Sequence, residues 1–211
     1  NIRIIALGDI LIQHLLSFLC YLQHVTQCVA KGTLYSTCPQ TGKTLDPSSL
    51  RGIVPNSDVR DHFGRPLKDL RISVTDRCNF RCRYCMPRER FSENHAFLPK
   101  RAFLSFEEIE KVVRSCMSLG LEKVRITGGE PLLRKDLPRL VEMLSNLGIE
   151  IALTTNASLL KKEAKALYDA GLNRVTVSLD ALDPDLHHAM SDSNISVKSI
   201  LEGIDEAIKV G

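Results

Sequence analysis

Three cysteines stand at the spacing C-x3-C-x2-C, in the run Cys78-Asn79-Phe80-Arg81-Cys82-Arg83-Tyr84-Cys85. Thiolates are natural ligands of iron–sulfur clusters. A cubane cluster has four irons, so three local thiolates leave one iron with an open position, which is what chemistry at the cluster needs. Zinc is the competing reading. It usually takes four closed ligands from paired C-x2-C units, and no second such pair stands elsewhere in the chain. Chance spacing is the remaining alternative.

The triplet must be held by something, and the flanking sequence says what. Leu70 to Thr75 alternates apolar and polar residues, the signature of a half-buried strand, and the cysteines follow it as a loop. Residues 86–101 carry Pro87, Pro99 and no period, and read as a long loop. Ser105-Phe106-Glu107-Glu108 is a capping box that opens a helix with Ile109, Val112, Val113 and Cys116 on one face, stopped at Gly120. Cys116 is therefore expected in the core. The unit repeats: strands over 123–127, 150–154 and 174–179, and helices over 136–147, 161–170 and 197–210. Four strands alternating with four helices predict an α/β fold with a parallel sheet and right-handed crossovers.

The strand faces carry a second message. Leu70, Ile72, Val74, Val124, Ile126, Ile151, Leu153, Val175 and Val177 fall on one face. The other holds Arg71, Ser73, Thr75, Lys123, Arg125, Thr127, Glu150, Ala152, Thr154, Arg174, Thr176 and Ser178. Parallel sheets covered on both faces read as continuous apolar runs, and the interior of a closed barrel fills with branched apolar side chains. One apolar and one polar face suit helices outside and the lumen of an incomplete barrel inside, or a polar face left to solvent. The strand ends bring Cys/Tyr, Thr127-Gly128-Gly129-Glu130-Pro131, Thr154-Thr155-Asn156 and Ser178-Leu179-Asp180 to one rim, where ligands bind in such sheets. The paired glycines let backbone approach a ligand closely.

Composition sets wide bounds. The chain has 211 residues, 44% hydrophobic and 25% charged, with net charge +3. That is room for one sizeable core and too little charge to argue for a nucleic-acid partner. Seven cysteines, four of them scattered, argue against a disulfide framework and for a reducing compartment. Residues 1–60 read as an extension and linker of unknown role, and 61–211 as the core domain. Ile4 to Leu22 has apolar residues at helical spacing and reads as a buried or weakly ordered helix; a membrane span is not expected, because the run is barely long enough and carries Asp9. Thr41-Gly42-Lys43-Thr44 imitates the end of a phosphate loop, but its first glycine would fall at Thr37. The stretch 46–58 is rich in Pro, Ser and Gly, a linker composition.

Residues 61–211 resemble the radical S-adenosylmethionine (SAM) enzymes, and within them the GTP 3′,8-cyclase branch, the molybdenum cofactor biosynthesis protein A family. The resemblance rests on Leu70 to Pro87, Val124 to Arg134, Leu153 to Asn156 and Val177 to Asp180. It implies a partial TIM-type barrel of βα repeats, here ending after the fourth unit. It implies that Cys78, Cys82 and Cys85 hold a 4Fe–4S cluster, that Tyr84, Gly129 and Ser178 line the SAM site, and that Arg71, Arg125 and Thr154 line the GTP site. The implied reaction is cyclisation of GTP to 3′,8-cyclo-7,8-dihydro-GTP by a 5′-deoxyadenosyl radical, the first step of molybdenum cofactor biosynthesis. The implied partners are GTP and an electron donor, with a homodimer compatible, in the cytoplasm or, in a eukaryote, the mitochondrial matrix.

The sequence departs from the family pattern in three places. Ala157 stands where Gly usually follows Thr-Thr-Asn, 191–196 is altered where the family has a Gly-containing turn, and the chain stops at Gly211. The family continues with further barrel strands, a Lys contact to GTP and a second cysteine triplet holding a second 4Fe–4S cluster. The chain is accordingly expected to be a fragment. Another radical SAM enzyme, such as a peptide maturase, and an inactive truncated product are the alternatives.

Overall fold

The structure, a computed structural model, describes residues 2–4 and 60–211. The expected linker and the helix over 4–22 lie outside the described residues, apart from Ile4. The chain divides into two compact units: 1–6 with 68–113 and 121–211, and 7–67 with 114–120.

The first unit is built on a five-stranded parallel sheet: β1 (Ile2–Ile4), β2 (Asp69–Ser73), β3 (Lys123–Thr127), β4 (Glu150–Thr155) and β5 (Arg174–Val177). The strands lie side by side in chain order. Parallel neighbours need long crossovers, and helices supply them. These are α1 (Phe106–Met117), α2 (Leu137–Ser145), α3 (Leu160–Asp169), α4 (Pro184–Ser191) and α5 (Val197–Val210). The capping box forms: Ser105 N–H donates to Glu108 Oε2 at 2.7 Å, and Glu108 N–H to Ser105 Oγ at 3.2 Å. Gly148 and Gly171 end α2 and α3 at φ +72° and +93°, values that a side chain would strain.

The alternation read from sequence holds. Leu70 and Ile72, Val124 and Ile126, and Ile151 and Leu153 are buried against the helices, while the alternate residues of β2 and β3 are half-exposed. The apolar side continues into Leu140, Val141, Leu144, Leu160, Leu167 and Ile200, a contiguous core. Register sets Arg71 opposite Arg125, and Arg3 opposite Arg71. Gly203 lets α5 press onto the start of α3: a Cβ there would lie 3.1 Å from Lys161 N and 3.2 Å from Ala157 O.

Three expectations need correction. Among the described residues there are five α-helices, not four. The missed one, α4, has no apolar stripe, but its start is marked by Asp183-Pro184, where the Asp183 carboxylate accepts from Leu186 N–H at 2.8 Å. The first strand of the repeat begins one residue early, at Asp69, and a further strand, β1, lies beside it.

In the second unit, residues 60–67 make a tight turn bridged antiparallel between Arg60 and Pro66. The Asp61 carboxylate accepts from Phe63 N–H at 2.9 Å and Arg65 N–H at 3.0 Å. Cys116, expected in a core, is a half-buried free thiol, raised above its ordinary value by burial. No helix among the described residues is long and apolar enough to cross a membrane.

Candidate functional site

The cysteine loop leaves the end of β2 and is tied down from three sides. Val74 N–H continues the β2–β3 ladder to Thr127 O at 2.9 Å. Gly129 N–H and Glu130 N–H then donate to Thr75 O and Arg77 O, both at 2.8 Å. These bonds explain the glycine pair. A Cβ on Gly128 would lie 2.7 Å from Thr75 O, and one on Gly129 only 2.3 Å from Arg77 O. The close approach expected toward a ligand is, in the fold itself, an approach to the backbone that leads into Cys78.

On a second side, α4 receives the loop. Arg81 N–H donates to Ser191 O at 2.9 Å and Arg83 N–H to Met190 O at 3.3 Å. The Arg88 guanidinium pairs with the Asp192 carboxylate and also donates to Asp192 O at 3.2 Å. Phe80 is buried, edge-on to the buried ring of His187 with centroids 5.9 Å apart. Inside the loop, the Arg81 guanidinium donates to Cys78 O at 2.6 Å and Phe80 O at 2.9 Å, drawing the turn together.

The third side is the end of β4. Glu130, expected at the rim, instead turns inward and is 1% exposed. Its Oε1 accepts from Leu132 N–H at 3.0 Å and the Thr155 hydroxyl at 2.7 Å, and its Oε2 from Asn156 N–H at 2.7 Å. Burial raises its pKa, outweighing those three bonds, which favour the ionised form. Asn156 Nδ2 donates to Asn79 Oδ1 at 2.9 Å and lies 3.9 Å from Cys78 Sγ as a donor. Asn79 Nδ2 in turn donates to Ser158 Oγ at 2.8 Å.

The cysteines form no disulfide and are unequal. Cys78 and Cys82 are half-buried and Cys85 is exposed. Burial pushes the Cys78 thiol up to about 11, with Glu130 and the other two cysteines adding to it, and raises Cys82 as well. Thiols so raised stay protonated at neutral pH unless an electropositive centre holds them as thiolates. Among the described residues no three His, Cys, Asp or Glu side chains converge at the spacing of a single metal ion. A four-iron cube holds its thiolates farther apart than one ion does. Three soft sulfurs on a loop, with backbone and amide N–H groups turned to Cys78, fit such a cluster.

Tyr84, one residue before Cys85, is 65% exposed. Its hydroxyl donates to Asp180 Oδ2 at 2.7 Å, reaching across to the turn after β5. Its pKa is raised by burial of the hydroxyl and by that bond. Ser178 N–H donates to Thr155 O at 2.9 Å, so Ser178 stands at the same end of the sheet as Gly129. Arg71 and Arg125 stand deeper than this rim, on the polar face, opposite each other across β2 and β3, while Thr154, one residue before the end of β4, pairs with Thr176. The carboxylate beside Arg125 is Asp69, at 3.9 Å, and not Glu150, which pairs with Lys123 at 3.3 Å and Arg174 at 3.0 Å. A cavity of about 610 Å³ lies elsewhere, between residues 132–139 and α3, and none of Cys78, Cys82, Cys85, Tyr84, Gly129, Ser178, Arg71, Arg125 and Thr154 lines it.

A cysteine triplet at the end of one parallel strand, braced by a Gly-Gly-Glu turn at the end of the next, defines a class. Residues 72–211 match the radical SAM superfamily, well over half of the chain, and the chain belongs to that superfamily. Membership implies a 4Fe–4S cluster and SAM. Over 155 residues the chain is 56% identical to the GTP 3′,8-cyclase of Acidothermus cellulolyticus, covering 72% of this chain and 43% of the relative. It is 54% identical over 155 residues to the GTP 3′,8-cyclase of Staphylococcus carnosus, covering 46% of that protein. The chain thus spans less than half the length of these curated relatives.

Among solved structures, SuiB of Streptococcus suis bound to S-adenosylmethionine is similar with a TM-score of 0.55 and 23% identity, over 69% of this chain and 32% of that one. Methylornithine synthase (PylB) is similar at 0.54 and 18% identity, over 71% of this chain and 44% of that one. At these identities the likeness is one of fold.

Proposed function

We propose that residues 61–211 carry the cluster-binding and part of the substrate-binding half of a GTP 3′,8-cyclase, acting in molybdenum cofactor biosynthesis. Cys78, Cys82 and Cys85 would hold the 4Fe–4S cluster; Tyr84, Gly129 and Ser178 would line the SAM site; Arg71, Arg125 and Thr154 would bind GTP. When bound, the cluster supplies the electron that cleaves SAM. The protein's own residues then do the rest: they orient, hold charge and exclude water.

The observation that carries the substrate reading is the pair Arg71–Arg125. They lie in register on adjacent strands of the polar face. Arg125 has a single long ion pair, to Asp69 at 3.9 Å, and among the described residues Arg71 has no ion pair. Two guanidinium groups side by side, with that one long carboxylate contact between them among the described residues, suit a triphosphate, whose oxygens they can pair bidentately. Both lie a few residues before the strand ends, one step deeper than the rim where Gly129 and Tyr84 stand. A second ligand must sit there to meet a radical generated at the rim. An electron donor and assembly into a homodimer belong to the same proposal.

The test is equilibrium binding of GTP and of SAM to the iron-loaded chain and to its Arg125→Ala variant. Losing a charge-assisted phosphate contact costs about 1.5–3 kcal/mol, or roughly ten- to a hundredfold in affinity. GTP affinity should fall by that factor while iron content and SAM affinity hold. Unchanged GTP binding, or equal loss of both ligands, would rule the assignment out.

A further inference from the structure

The side chain of Asn156 has an orientation that its neighbours fix. Its Oδ1 accepts from the backbone N–H of Ser158 at 3.0 Å and from Ser158 Oγ at 2.7 Å. A backbone N–H can only donate, so the oxygen of the amide must face Ser158, and the NH2 group must face the other way. That way lie Asn79 Oδ1 at 2.9 Å and Cys78 Sγ at 3.9 Å. An amide NH2 has two hydrogens; one serves Asn79, and the other is left for the sulfur.

The backbone of Asn156 is fixed as firmly. Its N–H donates to Glu130 Oε2, and Glu130 is itself gripped by Leu132 N–H and the Thr155 hydroxyl. Thr155 Oγ1 also accepts from Ala157 N–H at 2.9 Å. Glu130 is 1% exposed, Thr155 2% and Asn156 9%, so this network is shielded from water, where hydrogen bonds count for more. Cys78 is the half-buried member of the triplet nearest this network, and it takes a second donor from Phe80 N–H at 3.4 Å.

The geometry points to Asn156 as a positioning residue that sets the reduction potential of a cluster held by Cys78, acting through the N–H it turns to that sulfur, with Glu130 as the buried strut that holds Asn156 in place. In this role the side chain of Glu130 is committed inside the fold and is not a ligand of SAM. The physical reason is charge. Reducing a cluster adds an electron that is shared with the sulfur ligands, and an N–H aimed at a ligand sulfur stabilises the more negative state. Removing that donor should therefore lower the potential and make the cluster harder to reduce.

The inference rests on the reading that the triplet holds a cluster, and the experiment separates the two. The chain is loaded with iron and sulfide without oxygen, and its iron content, midpoint potential and the EPR spectrum of its reduced form are measured beside those of Asn156→Ala and Asn156→Asp. The aspartate keeps the acceptor that holds Ser158 and replaces only the donor. At a fixed applied potential, the alanine variant should shift the oxidised-to-reduced ratio about three- to tenfold toward oxidised, the upper end being about 59 mV for one electron. Asn156→Asp should shift it further in the same direction, with an altered EPR spectrum. A parent chain that takes up no iron overturns the cluster reading itself. Variants that load iron at the parent's potential overturn the tuning role, and variants that no longer load iron overturn it too, because Asn156 would then assemble the site instead of tuning it.

Discussion

Two regions of the sheet, its strand ends and the polar face of its strands, differ in how their polar groups are spent. At the strand ends, Thr75, Arg77, Glu130, Thr155, Asn156, Asn79 and Ser158 satisfy one another in a closed network around the cysteine loop. Deeper on the strands, Arg71 and Arg125 face each other, and among the described residues one ion pair, Arg125 to Asp69 at 3.9 Å, joins them to a carboxylate. Like charges set side by side repel. A fold gains nothing from placing them so, and a ligand that brings negative charge does. The closed network reads as scaffold, and it is the open pair that the proposed function gives to a ligand.

Gly129→Ala tests the scaffold most severely. The added methyl carbon would meet Arg77 O at 2.3 Å and Cys78 N at 3.0 Å, both backbone atoms that cannot swing aside. The loop must move, at about 3 kcal/mol, and the cysteines move with it. Iron uptake should fall several-fold and the thermal midpoint should drop. A variant that loads iron and melts like the parent would show that the glycine pair serves a ligand and not the loop.

A smaller effect depends on pH. Burial raises the pKa of Glu130 above its ordinary 4.5, so the folded chain binds that proton more tightly than the unfolded one. Its contribution to stability is then full below about pH 4.5 and is lost as pH rises through the folded value. Glu130→Gln cannot ionise. The stability of the glutamine variant relative to the parent should therefore be flat below pH 4.5, increase through the range above it, and level off. Asp61, Glu107, Asp192 and Glu202 are lowered by their partners and slope the other way, but they are common to both proteins and cancel in the difference. A constant difference across the range would mean that Glu130 titrates alike in both states.

Much of this was legible beforehand, for physical reasons. Side chains alternate along a strand with period 2, so Arg71 and Arg125 could be put on one face, and Leu70 and Val124 on the other, without a structure. The capping box at Ser105 and the stops at Gly148 and Gly171 are local, and they formed where their residue types put them. The direction of Glu130 was not legible. The motif reading placed the whole Gly-Gly-Glu turn at the rim, while the side chain is claimed by Thr155 and Asn156, about 25 residues on, through contacts no local pattern encodes. The same holds for Asn156 and Cys78, which lie 78 positions apart. For α4 a signal existed in Asp183-Pro184, but its residues show no 3.6-residue apolar stripe, so periodicity passed over it.

The smallest expected effect concerns position 157, where the sequence carries Ala in place of the usual Gly. Ala157 does adopt a left-handed backbone, at φ +60°, and it is buried. An L-residue there costs about 1–2 kcal/mol. Glycine would remove that cost but would add about 0.5–1 kcal/mol through the greater freedom of the unfolded chain, and it would give up a buried methyl worth about 0.8 kcal/mol. The terms nearly cancel, so Ala157→Gly should change stability by less than about 0.5 kcal/mol in urea denaturation. Ala157→Val should lose about 2 kcal/mol or more, because a β-branched side chain tolerates positive φ least. The contrast with Gly129 is between two causes of the same residue preference. Gly129 is excluded from being Ala by neighbouring backbone atoms, at an ordinary φ; position 157 disfavours Ala by its own dihedral, with Thr155 Oγ1 holding Ala157 N–H in that conformation. Steric contact with fixed backbone cannot relax, and a dihedral cost is offset by other terms. If Ala157→Gly stabilised the chain by more than about 1.5 kcal/mol, the turn after β4 would be storing strain, and the network around Asn156 would be maintained against it.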